Sequence, residues 1–171
     1  SYLASYLVGE PIPPNLPDDE MGTRLLRIYS NHRNVRDLQA KRAVLGYGFG
    51  MSYRKLYDMY REAFTKQADA KRVTDMMDRL FPRAAQWRHD IRIQASRAPY
   101  CLISRHGYLR YFWEVFKGGN PDNGPGEDSE SCVAFLPSND AFGHIKDAML
   151  RLDQRGLNEK LGLANQNHDA L

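Results

Sequence analysis

VRDLQAKRAVLGYGFGMS, residues 35–52, is the stretch on which the reading of this chain turns. Good helix formers run from Val35 to Leu45, after which Gly46, Gly48 and Gly50 end or bend the helix within five residues. Lys41, Leu45 and Phe49 are spaced four apart, so they share one face if the helix persists through the glycines. On that face Lys41 offers a point charge, and Arg36 nearby offers a bidentate donor, both suited to phosphate oxygens. The same spacing also suits burial of Leu45 and Phe49 in a core, with Lys41 a solvated surface lysine. Arg36 lies five residues before Lys41, about 140° around an ideal helix. Either a π-bulge restores the shared face or the arginine arrives from a non-helical approach.

Working outward, the pattern is mostly helical. Toward the N-terminus, SYLASYLV begins a helix at Ser1 with no initial Met, and EPIPPNLPDDE places four prolines in eleven residues, predicting a loop over 12–19. A helix follows from about Met21. On the other side, Tyr53, Leu56, Tyr57, Tyr60 and Phe64 fall at helical spacing, and Asp69 to Leu80 continues alike. From Pro82, the stripe Ala84, Trp87, Ile91, Ala95 and Ala98 predicts a helix flanked by Arg88 and Arg92 and ended by Pro99. YCLISRHGYLRYFW alternates on both sides of His106-Gly107, the pattern of a tight β-hairpin. KGGNPDNGPGEDSES has nothing to bury and predicts a flexible surface insertion. Phe142, Ile145, Met149 and Leu152 mark one more helix closed by Gly156, and LGLANQNHDAL reads as a strand that stops without a turn. Both ends suggest a piece cut from a longer protein.

The chain's 171 residues suit one compact domain or a closely coupled pair. Without an apolar run near the roughly 20 residues of a membrane span, no membrane partner is expected. Cys101 and Cys132 have no metal-ligand spacing and could form at most one bridge, so reduced thiols and an intracellular setting are expected. The net charge is only +3, but residues 66–110 carry ten Lys/Arg against four Asp. Such a basic middle suits a face that meets a polyanion, and equally a solvated flank around an apolar stripe.

Four features in fixed order, VRDLQAKRAVLGYGFGMS, YCLISRHGYLRYF, CVAFLPSNDAFGHIKDAML and NHDAL, together resemble the polymerase domain of family A DNA polymerases, especially the phage-type members. The resemblance covers nearly the whole chain, and His168 follows Lys41 by 127 residues, about the family's interval. It implies a fingers helix in which Lys41 and Arg36 bind the triphosphate of a dNTP. Leu45 then takes the position that affects sugar discrimination, and Phe49 stands where the family has Tyr. Arg36 departs from the pattern, since the family's Arg position four before the Lys is Asp37 here. NHDAL resembles the palm motif, which makes Asp169 a ligand of two Mg²⁺ ions and sets His168 by the primer-terminal phosphate; Ala170 replaces the usual Glu. Asn139 takes the place of a Gln that contacts the minor groove, or else caps a helix N-terminus. Arg105, His106 and Arg110 on the hairpin meet template or primer phosphates. The family's other metal carboxylate has no counterpart in residues 1–35.

The expectation is thus an α+β, predominantly helical partial polymerase domain, truncated at both ends. Fingers helices occupy about 20–98, a hairpin 99–115, a flexible insertion 116–131, and a palm helix and metal-motif strand 132–171. Its partners are primer-template DNA and dNTPs, its cofactor Mg²⁺, its state monomeric, and its setting the cytoplasm of a bacterial or phage-infected cell. The competing readings are a non-enzymatic helical nucleic-acid-binding module and a plain helical interaction protein.

Overall fold

The structure, a computed structural model, describes residues 2–13, 15–157 and 160. It is predominantly helical α+β. The helices are α1 (Tyr2–Leu7), α2 (Asp18–Asn31), α3 (Lys41–Gly48), α4 (Tyr53–Met59), α5 (Gln67–Leu80), α6 (Pro82–Ala95) and α7 (Ser129–Gln154). Between α6 and α7 runs an antiparallel hairpin of β1 (Cys101–Ile103) and β2 (Leu109–Tyr111), with Leu102 opposite Arg110. A π-helical segment, Val35–Ala40, leads directly into α3.

Local chemistry explains most boundaries. α2 begins three residues before Met21 because Asp18, Asp19 and Glu20 fill its first turn, where the helix dipole favours carboxylates. Ser52 caps α4, its Oγ accepting from the Lys55 N–H at 3.3 Å. Pro82 occupies the first turn of α6, where its missing N–H costs nothing. In the hairpin turn the Gly107 N–H donates to the Ser104 carbonyl at 2.9 Å, with Gly107 at φ +81°.

Two apolar clusters form the core. One gathers Leu3, Ile28, Tyr47, Leu56, Phe64 and Val73 from α1 to α5 and its connections. The other gathers Ile91, Leu102, Phe112, Val133 and Phe135 from α6, the hairpin region and α7. They meet at the C-terminus of α3, where the Gly50 N–H donates to the Tyr47 carbonyl at 3.0 Å and the Met51 N–H to the Gly46 carbonyl at 2.9 Å. This Schellman closure puts Gly50 at φ +81° against the side chain of Val133 on α7.

Two expectations need correction. Residues 116–131, expected as a flexible surface insertion with nothing to bury, carry defined backbone structure. Lys117–Gly119 and Pro121–Asn123 form 3₁₀ turns, Phe116 bridges to Pro125, and Asp128 accepts the N–H groups of Trp113 and Glu114 at 2.8 and 3.1 Å. Backbone pairing through glycine turns orders a segment that has little to bury. The helix expected from 132 starts at Ser129 and runs through Pro137, whose ring removes one backbone donor without ending it. The expected C-terminal strand lies outside the described residues.

A Cβ on Gly50 would sit 2.8 Å from Val133 Cβ in addition to the left-handed backbone, so Gly50→Ala should destabilise by about 2–4 kcal/mol. Gly22, inside α2 with nothing within 4 Å of such a Cβ, should instead gain about 0.5–1 kcal/mol on Gly22→Ala. Urea unfolding of the two variants checks the pair; equal effects would show that the closure at Gly50 is not required.

Candidate functional site

The π-segment decides how the candidate nucleotide face is built. The Lys41 N–H donates to the Arg36 carbonyl, an i→i+5 bond that absorbs the extra residue between the two cations. Of the two routes open to Arg36, the structure therefore takes the bulged helix. The Arg36 guanidinium lies over the Tyr29 ring, 4.6 Å from its centroid, and pairs with Asp37. It is thus anchored to α2 while its backbone belongs to the turn below Lys41.

From Lys41 onward the helix has two distinct sides. Ala43, Gly46 and Tyr47 face the core, whereas Lys41, Val44, Leu45 and Phe49 are exposed. Leu45 is 54% and Phe49 48% exposed, so burial of these two in the core is corrected. Small residues and Tyr47 fill the inward side, leaving the outward side apolar with a lysine at its head. Arg42 pairs with Glu62 across from α3, while Lys41 has no carboxylate partner among the described residues. The helix does persist past Gly46, and Phe49 caps it at φ −92°.

Behind this face lies a polar anchor. Tyr47 donates its hydroxyl proton to Asp78 Oδ1 at 2.5 Å, and the Arg88 guanidinium covers the Tyr47 ring at 3.9 Å. Burial, then the bond to Asp78, holds the phenol above its ordinary pKa. Tyr47 thereby stays a neutral donor that fixes the rotation of α3.

The remaining predicted residues lie on the hairpin and α7. The Arg105 N–H donates to Asp140 Oδ1 at 3.0 Å, which docks the hairpin tip beside Asn139 and leaves the arginine exposed. Asn139 lies well inside α7 and donates through Nδ2 to the Phe135 carbonyl at 2.8 Å, so the N-cap alternative is corrected: the helix starts ten residues earlier. Arg110 is exposed, its guanidinium 5.3 Å from the Phe112 ring centroid. His106 packs against Gly143, with Nδ1 3.5 Å from Asp147 Oδ2. The structure therefore brings together Lys41, Leu45 and Phe49 on one helix face, and Arg105, His106 and Asn139 at one contact between hairpin and α7. His168 and Asp169 lie outside the described residues. Among the described residues, no three His, Cys, Asp or Glu side chains group as metal ligands.

Two features escaped the sequence reading. A cleft of about 680 Å³ opens between α4, α5, α6 and the 116–130 segment, with Arg88, Arg92 and Glu130 in its wall. The i,i+4 pair Arg88 and Arg92 was its only sequence signal. On the outer side of the hairpin, Tyr111 and Trp113 stack at 5.5 Å with their planes 5° apart. Alternation places the two rings on one side, but nothing in it says that side is uncovered. Compared with family models, with curated proteins and with solved structures, the chain matches none.

The exposure of Leu45 and Phe49 makes stability a direct test. Each change to Ala should cost under about 1 kcal/mol, far below the 2–5 kcal/mol of a buried large side chain. Thermal melts of Leu45→Ala and Phe49→Ala check this; losses in the upper range would return both residues to the core.

Cys132 gives a pH test of the joint beside Arg92. Burial raises its thiol from the ordinary 9.0 to about 11. As pH rises through 9 the unfolded chain loses this proton first, so the folded state loses stability, at up to about 1.4 kcal/mol per pH unit, until about pH 11. Urea midpoints between pH 8 and 11 should fall more steeply for the parent chain than for Cys132→Ala; parallel curves would mean the thiol is not desolvated.

Proposed function

We propose that this chain is the fingers and part of the palm of a family A DNA-directed DNA polymerase, the enzyme that adds nucleotides from dNTPs to a primer 3′ end. The observation that carries the reading is the α3 face behind the π-turn, which sets a lysine without a carboxylate partner above Leu45 and Phe49 in solvent. A helix face of this kind matches an elongated ligand with an anionic end and an apolar end.

In this reading Lys41 binds the triphosphate of the incoming nucleotide. Arg36, held over Tyr29, adds charge from the preceding turn. Leu45 packs against the sugar and Phe49 against the base, excluding water from one side of the nucleotide. Arg105 and Arg110 contact DNA phosphates, and Asn139 contacts the minor groove once its amide leaves the Phe135 carbonyl. Bound Mg²⁺ supplies activation of the primer hydroxyl and charge compensation on the pyrophosphate. The carboxylate assigned to it, Asp169, lies outside the described residues, so the described residues bind and orient. The partners are primer-template DNA and dNTPs, the working state is a monomer, and the setting is the cytoplasm of a bacterial or phage-infected cell. No helix among the described residues is long and apolar enough to cross a membrane.

In the polymerase that carries this segment, Lys41→Ala should lower the efficiency of dNTP use roughly ten- to a hundredfold, the worth of one charge-assisted phosphate contact, while duplex affinity stays within about twofold. Asp169→Asn should abolish most extension with little change in melting temperature. Steady-state primer extension and duplex titration separate the outcomes. Equal losses in dNTP use and duplex affinity would move Lys41 to a DNA-binding surface and favour a non-enzymatic binding module.

A further inference from the structure

The outer face of the hairpin is unlike the rest of the surface. β1 and β2 alternate so that Leu102, Phe112 and the stem of Arg110 turn toward the second core cluster or lie across it. The opposite face carries Ile103, Leu109 and Tyr111, and the chain continues the alternation to Trp113. All four of these apolar side chains are exposed, Trp113 at 74% and Tyr111 at 49%. Trp113 stands between two rings, stacked on Tyr111 and 6.3 Å from Tyr100 at 41°. Tyr100 itself is the one non-glycine residue with positive φ among the described residues, at +59°. That conformation is costly for an aromatic residue, and it places the Tyr100 ring in the row.

Charge identifies what such a row is suited to hold. From residue 91 to 113 there are four arginines and no Asp or Glu. Arg97, Arg105 and Arg110 are exposed and pair with no carboxylate among the described residues. Of the acids around the hairpin, Asp128 accepts two backbone N–H groups, Asp140 accepts the Arg105 N–H, Asp90, in one cleft wall with Arg97 and Cys101, accepts from Gln86, Asp147 faces His106, and Glu114 follows Trp113 in the chain. A protein partner covering this face would have to meet the unpaired guanidinium groups at its edges, Arg97 beside Cys101 and Arg105 at the hairpin tip, whereas a nucleic acid supplies a phosphate for each. Bases in a duplex hide their faces in the stack, so rings left open to solvent select an unpaired strand.

We propose that Tyr100, Tyr111 and Trp113 form a stacking platform for the bases of a single-stranded nucleic acid, with Arg97 and Arg105 at its edges meeting its phosphates. The platform goes beyond the nucleotide face of α3: it shares with the proposed function only the assignment of Arg105 to phosphates, and it requires no nucleotide transfer. Base–aromatic stacking tolerates any sequence, so the platform holds a strand without reading it. Its affinity falls steeply with salt, as phosphate contacts release counterions.

The test uses the 171-residue chain with Trp87→Phe, which leaves Trp113 as its one indole. Titration with a twelve-residue oligothymidylate should quench Trp113 fluorescence saturably, with affinity falling at least tenfold from 50 to 200 mM salt. A blunt twelve-base-pair duplex should bind at least tenfold more weakly. Trp113→Ala and Tyr111→Ala, followed by anisotropy of a labelled oligothymidylate, should each weaken binding on the order of ten- to a hundredfold with an unchanged circular dichroism spectrum. No binding, binding indifferent to both substitutions, or equal affinity for the duplex would overturn the platform. Sedimentation showing a dimer that both substitutions dissociate, without response to oligothymidylate, would assign the face to a second copy of this chain and also overturn it. Arg24→Ala, at an exposed arginine of α2 outside both faces, should leave oligothymidylate binding unchanged, and the α3 face is judged separately by dNTP use.

Discussion

A single guanidinium holds the two halves of this molecule in register. Arg92, on α6, donates from Nη2 to the Gly50 carbonyl and from Nε to the Ser129 carbonyl, each at 3.1 Å. The first belongs to the closure of α3 and the second to the start of α7, so one side chain ties three helices at their common junction. Burial and the neighbouring Arg88 draw its pKa below the ordinary value, yet a guanidinium stays charged under such conditions. Its two bonds supply partners for backbone carbonyls that the packing of Gly50 on Val133 would otherwise leave dry. Lysine has no planar fork to serve both at once.

Around that junction the two apolar clusters are linked by polar contacts more than by a shared core. Lys55 pairs with Glu130 at 2.5 Å, and Glu130 also accepts the Ser52 N–H at 3.2 Å. These bonds are directional, so they fix orientation where apolar packing alone would tolerate sliding. The exposed α3 face ends at this framework, and the hairpin is tied to it through α7, whose N-cap Asp128 accepts the N–H groups of Trp113 and Glu114 and whose Asp140 accepts that of Arg105. That arrangement places exposed, chemistry-bearing side chains on a scaffold whose rotation is set elsewhere.

Much of the framework was legible in the sequence because local signals agreed with it. Pro82 starts α6, the stripe Trp87, Ile91 and Ala95 gives its period, and His106-Gly107 marks the hairpin turn. What failed to show was whatever depends on distant partners. Pro137 looks like a helix breaker, but in α7 the packing of Val133 and Phe135 in the second cluster outweighs one lost bond. The 116–131 segment looks unstructured because its order comes from backbone pairing to Val115 and Glu114, which composition does not encode. At the candidate site, spacing put Lys41, Leu45 and Phe49 together but left burial and exposure equally open. The inward side of α3 was taken by Ala43 and Tyr47, and only the tertiary fold could decide that.

The π-turn at Val35–Ala40 has a consequence for how such a surface changes over generations. One extra residue is stored there, and each residue of an ideal helix corresponds to about 100° of rotation. Loss of a single codon between Arg36 and Lys41 would turn this i→i+5 turn into ordinary α-helix, leaving the two cations four apart and still on one side. A length change within α3 itself would turn every following side chain by about 100°, whereas the π-turn takes up a one-residue change locally. The segment is therefore the place in this helical run where one residue can be lost while the side chains on either side keep their aim.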